Sequence, residues 1–494
     1  MKTISIRHNR LLPSKKTIDR LTCLIVLVPG NIKENSWESV PYGSRIHGQL
    51  KNRKAACNAG DIETLDLPNV FATHVVVVFV SKNYDTFQRL TLARKTIKVA
   101  LRCLPSTLSI LFHCGERDGA PWGEALSSAL YARLADLPSY KSKEAKPIAL
   151  RTVHYYGLTS RVDTRRVQAE AAGNELARRL TQLPANKLTP ALYRKEIGVL
   201  AKQHGWRTRF YDINQLKRKR AGAFLAVVQG SATKDAGIMH LSYRPPRAKG
   251  KPVALVGKGI CFDTGGVNVK TARYMQHMQE DMAGSAVALG ALLTFTQLQV
   301  TFPIDCWLAL AQNHVGPDAY KPGDVVTALN GTTIEVVHTD AEGRMVLADT
   351  LALAARNKPR LIIDYATLTG ACVYALSTRY SGVLTNREAY LSPLIEVGRI
   401  SGERIWPFPI DEDFDEALES DIADLKQCAL DGEADHIIAA RFLKRFVEDT
   451  PWVHIDLAAG RHRGGLAHIP TDTTGFGVRF TLELLLGRYL EQSK

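Results

Sequence analysis

The stretch Thr339-Asp-Ala-Glu-Gly-Arg344 carries two carboxylates and a guanidinium where a strand pattern gives way to a helix pattern. Residues 333–338 alternate in the manner of a strand, and residues 345–355 combine helical spacing with strong helix formers. α/β folds place their chemistry between the carboxyl end of a strand and the N-terminus of the next helix. The stretch therefore predicts a site at such a junction, although a charged turn with acids at a helix start would look the same.

A second cluster of charged residues lies upstream, where residues 256–270 contain Lys258, Asp263 and Lys270. Asp281 follows just before a helical pattern, and by itself it would be interpreted as a helix N-cap. The glycines at 257, 259, 265 and 266 are expected to turn the backbone tightly at the end of a strand. The spacing matches neither a Walker phosphate loop nor a dinucleotide-binding fingerprint.

Together the two clusters offer four carboxylates, those of Asp263, Asp281, Asp340 and Glu342, which would balance two divalent cations. Oxygen ligands of this type suit Mn²⁺, Mg²⁺ or Zn²⁺. A centre with two metal ions activates a water and stabilises the oxyanion that develops on an attacked carbonyl or phosphoryl group. The residues thus predict a hydrolase with two metal ions and leave the bond that it cleaves open.

The length and composition are those of an ordinary globular protein with more than one domain. With 494 residues, 45% of them hydrophobic and 23% charged, the chain is too long for a single core. No run of about 18 apolar residues occurs, which argues against a membrane span. The eight cysteines form no CxxC pair, so we expect a reduced protein of the cytoplasm.

The positive charge is concentrated in the N-terminal third. The whole chain carries a formal charge of +15, and residues 1–165 hold 25 Lys and Arg against 13 Asp and Glu, a net +12. A basic surface attracts nucleic acid and other anions without identifying one. A nucleic-acid-binding or regulatory role of the basic N-terminal domain is therefore the alternative function that the composition leaves open.

Alternating strand and helix patterns predict an α/β fold in two domains. Residues 1–163 form the smaller α/β domain, residues 164–183 a linker helix, and residues 184–494 a larger catalytic domain. In the larger domain, strand patterns near 253, 304 and 360 alternate with helical ones, which indicates a mixed sheet sandwiched by helices. Asn330-Gly331 between two short strand patterns predicts a β-hairpin.

The charged motifs resemble those of the leucyl aminopeptidases, cytosolic exopeptidases with two metal ions. The resemblance lies in residues 256–266, Lys270, residues 278–281 and Thr339–Arg344. It extends through residues 184–190, 364–370 and 454–460, and thus covers nearly all of residues 165–494. It implies an enzyme that removes the N-terminal residue of a peptide with a free amine, assembled as a homohexamer.

The resemblance also implies a role for each site residue. Lys258, Asp263, Asp281 and Glu342 would hold one Mn²⁺ or Zn²⁺, and Asp263, Asp340 and Glu342 the other, with a hydroxide between the two ions. Lys258 would bind as the free amine, so its pKa would have to be strongly lowered by the cations. Lys270 would stabilise the oxyanion.

Arg344 would hold a bicarbonate ion, or a water, that carries a proton to the leaving amine; its place at a helix N-terminus suits an anion. The pocket for the first substrate residue would contain Met278, Thr367, Leu368 and Gly370, and it would favour an apolar side chain such as that of leucine or methionine. Core packing is the alternative role for each of these four residues, and for Met278 above all.

The chain departs from the family pattern at several positions. His338 stands in place of an Asn, Ala283 in place of a Gly, and Gln279 in place of a Lys or Arg. Residues 433–440 replace a glycine-rich stretch near the pocket. None of these changes removes a predicted metal ligand, so the chemistry is expected to persist while the substrate preference is in doubt. A hydrolase of another bond, such as a phosphoester, is the remaining alternative.

Overall fold

The computed structural model describes residues 4–143, 147–246 and 248–491. The chain divides into two compact units, Met1–Ala171 with Gly464–Pro470, and Ala172–Arg463 with Thr471–Lys494. The boundary between the units falls inside a helix, Thr164–Thr181. The sequence-based limits 1–163, 164–183 and 184–494 stay a prediction.

The first unit is built on a six-stranded sheet. Its strands are β1 (Ser5–Asn9), β2 (Cys23–Pro29), β3 (Ile62–Asp66), β4 (His74–Val80), β5 (Thr107–Phe112) and β6 (Thr152–Tyr156). They lie in the order β1-β6-β5-β2-β4-β3, and all neighbours are parallel except β3 with β4. Its helices are α1 (Lys15–Ile18), α2 (Gly43–Asn52), α3 (Thr86–Ala100), α4 (Glu116–Leu134) and the first part of α5 (Thr164–Thr181).

Apolar side chains cover both faces of this sheet. Along β2, Cys23, Ile25 and Leu27 pack into one buried cluster. The alternating residues Leu24, Val26 and Val28 pack into another, on the opposite face. A strand buried on both faces is apolar throughout, which is why this run was recognisable as a strand from its sequence.

The second unit contains an eight-stranded mixed sheet. Its strands lie in the order β15-β14-β17-β13-β9-β10-β8-β7. They are β7 (Arg207–Asp212), β8 (Gly237–Tyr243), β9 (Val253–Asp263), β10 (Ile304–Asn313), β13 (Leu361–Ala366), β14 (Ser381–Thr385), β15 (Ile405–Pro407) and β17 (Trp452–Asp456). The central strands β10, β9, β13 and β17 run parallel, whereas β7, β8 and β14 introduce antiparallel pairs.

Helices cover both faces of the large sheet. They are α6 (Pro190–His204), α7 (Ile213–Arg218), α8 (Gly222–Val228), α9 (Ala272–Met275), α10 (Ala283–Leu298), α11 (Glu342–Ala355), α12 (Gly370–Leu376), α13 (Leu391–Ser401), α14 (Asp435–Lys444) and α15 (Val478–Leu486). Gly257 of β9 lies against α10, and its neighbour Lys258 lies against α11. Successive residues of a strand face opposite sides, so α10 and α11 cover opposite faces. The predicted α/β class is confirmed.

A small three-stranded sheet contains the two strands that precede α11 and one strand that follows it in the chain. It consists of β11 (Val325–Thr327), β12 (Thr333–Glu335) and β16 (Leu425–Lys426), in the order β11-β12-β16. β11 and β12 are antiparallel around Gly331, whose φ of +99° suits the turn, so the predicted hairpin is confirmed. The strand predicted over 333–338 extends only over Thr333–Glu335 in the structure. Helix α11 begins at Glu342, earlier than the predicted start at residue 345.

The prediction for the glycines was right only in part. Gly265 and Gly266 have φ values of +88° and +66° and turn the backbone after β9. Gly257 and Gly259 instead lie within β9. A Cβ on Gly257 would lie 2.4 Å from the Cα of Ser285, so this glycine allows α10 to pack closely on the strand.

Candidate metal centre

The end of strand β9 holds Asp263 in a fixed orientation. Its Oδ1 accepts hydrogen bonds from the backbone N–H of Gly265 and from Asn313 Nδ2, both at 2.8 Å. The other oxygen, Oδ2, lies 2.8 Å from Lys270 Nζ. The N–H of Gly265 therefore orients the carboxylate, and the positive φ of the same glycine turns the backbone away from the strand.

The loop that leads into α11 is fixed through Thr339. The carbonyl of Thr339 accepts hydrogen bonds from Asn313 Nδ2 at 3.0 Å and from the hydroxyl of Tyr320 at 2.7 Å. Its N–H donates to Asn268 Oδ1 at 2.9 Å. These buried bonds hold the next residue, Asp340, beside Asp263. Sequence reasoning missed all three partners, although Asn268 stands inside the upstream cluster.

Gln427 holds the same loop from the other side. Its Oε1 accepts the N–H groups of Val337 and His338 at 3.1 and 3.2 Å, and its Nε2 donates to the carbonyl of Ala341 at 3.0 Å. Gln427 is fully buried and comes directly after β16. No periodic or motif signal in the sequence pointed to it.

Lys258 is buried among the predicted ligands. Its Nζ lies 2.8 Å from Asp281 Oδ1 and 3.0 Å from Glu342 Oε1, and it donates to the carbonyl of Thr367 at 2.9 Å. Burial disfavours the charged ammonium, but the carboxylates around it outweigh this effect and raise the pKa of Lys258. In the protein alone, Lys258 therefore acts as a counter-ion of the acidic cluster.

Lys270 pairs with the other two acids. Its Nζ lies 2.8 Å from Asp263 Oδ2 and 2.5 Å from Asp340 Oδ1. Its side chain is only partly buried, with 13% exposed, so it reaches the opening of the site. Burial opposes its charge, and the neighbouring carboxylates raise its pKa overall. The structure thus places a permanent positive charge at the edge of the cluster.

Asp281 does not cap a helix. It follows the short 3-10 helix Met278–Glu280, and α10 begins after Met282 with no side-chain cap. Its Oδ1 instead accepts from Lys258 Nζ and from the Thr367 hydroxyl, the latter at 2.7 Å. The predicted alternative, an N-cap, is therefore wrong for this residue.

The carboxylates are too close to one another to be stable as four free anions. Oxygens of Asp263, Asp340 and Glu342 lie within 4.8 Å of one another. Burial, followed by repulsion from Asp263, raises the pKa of Asp340 and of Glu342, and burial also raises the pKa of Asp281. Two lysines do not neutralise this negative charge, whereas divalent cations would.

Two oxygens of the cluster also lack a partner. Asp281 Oδ2 and Glu342 Oε2 are buried without a hydrogen bond from any residue that the structure describes. A buried oxygen without a partner is costly in an ordinary polar network but is expected of a metal ligand. The donor set, of carboxylate oxygens and one amine, fits Mn²⁺ or Zn²⁺.

The cluster opens into a cavity of about 490 Å³. Its wall contains ten of the eleven predicted site residues: Lys258, Asp263, Lys270, Met278, Asp281, Asp340, Glu342, Thr367, Leu368 and Gly370. Asp456 supports this wall, because its carboxylate accepts from the N–H of Leu368 at 3.1 Å and from the Thr369 hydroxyl at 2.7 Å. At the rim, Arg461 pairs with Glu280 at 2.5 Å.

Arg344 lies behind the cluster. Among the described residues, the wall of the cavity does not include it. Its guanidinium is buried and donates from Nη2 to Asp435 Oδ1 at 2.6 Å and from Nη1 to the carbonyl of Gln427 at 3.2 Å. The structure thus leaves Arg344 out of the described cavity wall and gives it a carboxylate partner from the chain itself.

Residues 175–482 match the model of the cytosol aminopeptidase family, catalytic domain. This span exceeds half of the chain and contains every residue of the centre. The chain belongs to the cytosol aminopeptidase family. As a member of this family it is a metal-dependent aminopeptidase, a hydrolase. The nucleic-acid-binding alternative gains no support.

The sequences of similar proteins support the membership of this chain in the cytosol aminopeptidase family. A probable cytosol aminopeptidase of Syntrophotalea carbinolica is 42% identical over 63% of this chain and 63% of its own length. Another from Geobacter sp. (strain M21) is 36% identical over 84% of this chain and 86% of its own. The alignment thus spans less than two thirds of the first relative and most of the second.

A solved structure of the same kind covers almost the whole chain. A mutant of tomato leucine aminopeptidase superposes with a TM-score of 0.86, at 26% identity, over 98% of this chain and 97% of its own. Among the described residues of this cytosol aminopeptidase family member, no helix combines the length and hydropathy that crossing a bilayer requires.

Proposed function

We propose that this enzyme removes the N-terminal residue from peptides with a free amine, with a preference for leucine or methionine, by means of two divalent metal ions. The observation that carries the proposal is the cluster of carboxylate oxygens of Asp263, Asp340 and Glu342 within 4.8 Å of one another, in the wall of a cavity of about 490 Å³. The ions would be Mn²⁺ or Zn²⁺.

Five residues would hold the ions. Lys258, Asp263, Asp281 and Glu342 would bind one ion, and Asp263, Asp340 and Glu342 the other. When bound, the ions supply Lewis-acid polarisation and an activated water. This assignment is supported by the oxygens of Asp281 and Glu342 that have no hydrogen-bond partner in the described part of the chain.

Lys270 would orient the substrate and stabilise negative charge on the scissile carbonyl oxygen. Its ammonium stands at the partly open edge of the cluster, 2.8 Å from Asp263 Oδ2, and the surrounding acids keep it protonated. A fixed cation in a water-poor site stabilises a developing oxyanion more strongly than a solvated one does.

The free amine and the first side chain of the substrate would bind next to each other in the cavity, because the Thr367 hydroxyl donates to Asp281 Oδ1 at 2.7 Å. Asp281 faces the cavity and would accept a hydrogen bond from the amine, which explains exopeptidase rather than endopeptidase action. Met278, Thr367, Leu368 and Gly370 would surround an unbranched or γ-branched apolar side chain. Core packing is the competing role for these four residues.

Bicarbonate at Arg344 does not fit the residues present. Nη2 and Nη1 of the guanidinium already carry the carboxylate of Asp435 and the carbonyl of Gln427, so Nε, which has no partner among the described residues, has no adjacent free nitrogen for an anion held by two bonds. We therefore derive no step from bicarbonate.

Location in the cytoplasm and assembly into a homohexamer are proposed from the resemblance to cytosol aminopeptidases. Sedimentation of the purified protein tests the proposed homohexamer.

The test of the proposed function is hydrolysis of leucine p-nitroanilide. We expect activity after loading with Mn²⁺, loss of activity on chelation, and no activity in a folded Glu342→Ala variant. N-acetyl-leucine p-nitroanilide should be inert because its amine is blocked, and bis-p-nitrophenyl phosphate tests the phosphoesterase alternative. Full activity of the Glu342→Ala variant, or equal hydrolysis of the acetylated substrate, would sink the proposal.

A further inference from the structure

Residues 433–440, where the resemblance predicted a departure from the family pattern, bring a carboxylate to Arg344. Helix α14 begins at Asp435, after Ala434 in a left-handed conformation with φ +48° and ψ +27°. That conformation is rare for a residue with a Cβ and costs about 1 kcal/mol. It directs the start of the helix so that the side chain of Asp435 reaches Arg344, 91 positions away in sequence.

The chain itself supplies partners for both terminal nitrogens of the Arg344 guanidinium, Asp435 at Nη2 and the Gln427 carbonyl at Nη1. Arg344 is 2% exposed, whereas the side chain of Asp435 keeps 26% of its surface exposed. Nε is buried without a partner among the described residues, but it has no neighbouring free nitrogen with which to hold an anion by two bonds. A charge-assisted contact at 2.6 Å is a strong one, and a small anion from solvent would have to displace the Asp435 carboxylate to bind there.

The position of the pair distinguishes it from a structural ion pair elsewhere on the same helix. Arg441, near the other end of α14, is 3% exposed and pairs with Asp415, which is 25% exposed. The two pairs match in residue types and burial, and Asp415 pairs in addition with Arg445. Only the first one involves α11, where Arg344 stands two residues after Glu342.

We propose that Asp435 is the built-in anion of Arg344, a positioning residue that makes this enzyme independent of bicarbonate or any other small carboxylate. The expected change in kcat rests on the proposed function, whereas the expected change in the binding of small anions does not. Removal of the Asp435 side chain leaves a buried guanidinium without its carboxylate, beside a space that formate or bicarbonate can enter.

The first experiment measures anion binding without activity. Metal-free wild-type protein and the Asp435→Ala variant are titrated with sodium formate and sodium bicarbonate in a calorimeter, at constant ionic strength. We expect no binding heat from the wild type and saturable, millimolar binding by the variant. Equal binding by both proteins, or none by a folded variant, overturns the proposal even if the enzyme proves to have another substrate.

The second experiment measures kinetics. In buffer freed of carbon dioxide, we expect the wild type to keep its full kcat and the Asp435→Ala variant to lose up to about 100-fold, since a small displacement of catalytic groups has costs of this order. Formate or bicarbonate should restore kcat of the variant and leave that of the wild type unchanged. If the wild type needs added bicarbonate for activity, the proposal is overturned. This measurement uses the wild-type protein alone, so it does not depend on whether a variant folds.

Asp415→Ala is the control, because it removes the carboxylate that pairs with the equally buried Arg441 of α14 and also with the exposed Arg445. It should lower thermal stability as Asp435→Ala does, yet show no dependence of kcat on formate. If formate restores both variants equally, the effect is one of folding and the assignment to Asp435 is overturned. Asp435→Asn, which keeps the shape and loses the charge, should show weaker rescue because its side chain fills the space.

Discussion

The side chain of Lys258 crosses the backbone of Gly343 so closely that a Cβ on residue 343 would lie 2.6 Å from Lys258 Cε and 2.7 Å from its Nζ. Gly343 is the second residue of α11, between Glu342 and Arg344. The glycine is therefore part of the metal centre without contributing an atom to it. It provides the space through which Lys258 reaches the carboxylates of Asp281 and Glu342.

Gly343→Ala is expected to damage the centre selectively. The added methyl group must push the buried Lys258 away from its position, and real Cβ contacts are not found below 3.0 Å. We expect weaker metal binding and a fall in kcat of about 100-fold, as for other displacements near reacting groups. Metal titration and kcat under saturating Mn²⁺ are the measurements.

Gly198→Ala provides the control for this substitution. Gly198 lies in α6, and a Cβ there would meet nothing within 4 Å. Because alanine is the better helix former, this variant should be unchanged in activity and stabilised by up to about 1 kcal/mol. A Gly343→Ala enzyme as active and as well loaded with metal as Gly198→Ala would contradict the role assigned to Gly343.

Lys270→Met should lower kcat far more than it raises KM. The substitution removes the cation at the open edge of the cluster, and loss of one donor to an oxyanion typically costs about 10²–10³ in kcat. Lys270→Arg should keep part of the activity because it keeps the charge. The exposed Lys202 of α6 is the control site, where Lys202→Met should change neither constant. A change confined to KM would argue that Lys270 serves ground-state binding alone.

The sequence allowed the acidic residues of the centre to be predicted because their chemistry is local. Four carboxylates and two lysines in two short clusters are unusual enough to indicate metal ions, and the buried strands around them are continuous apolar runs. The large sheet was predictable for the same reason, since β9 and β10 are buried along nearly their whole length.

The residues that position the centre could not be predicted, because their roles depend on contacts between distant segments. Gln427 holds Val337 across 90 positions, and Asp435 reaches Arg344 across 91. No periodicity or spacing encodes such contacts. The surroundings of Arg344 are of the same kind: the sequence placed it just before the predicted helix 345–355, but only the packing of α14 decides what it faces.

Gln427→Ala is expected to loosen the loop that carries Asp340. The N–H groups of Val337 and His338 would lose their acceptor, and buried groups without partners cost about 1–3 kcal/mol each. We expect a lower unfolding temperature together with a reduced kcat, measured on the metal-loaded enzyme. Gln168→Ala, which removes one hydrogen bond to Tyr131 in the first unit, should affect stability alone. Unchanged kcat in Gln427→Ala would show that the loop holds its position without this side chain.

His454 and Asp364 should make the stability of the second unit depend on pH. The two side chains are fully buried, with Nδ1 and Oδ1 2.7 Å apart, and Trp452 Nε1 donates to the other oxygen of Asp364. Burial opposes protonation of the ring, but Asp364 outweighs this effect and raises the pKa of His454 above 6.5. The folded protein therefore binds this proton more tightly than the unfolded chain does.

The stabilisation by this pair is fully present below pH 6.5, the ordinary pKa, and is lost as the pH rises through the higher pKa of the folded state. Each unit by which the pKa is raised corresponds to about 1.4 kcal/mol. We expect the difference in unfolding free energy between wild type and His454→Leu to be largest on the acidic side and to shrink above neutrality, at constant metal loading. An NMR titration of the His454 ring gives the pKa directly, and a value below 6.5, or a difference that grows with pH, would contradict this prediction.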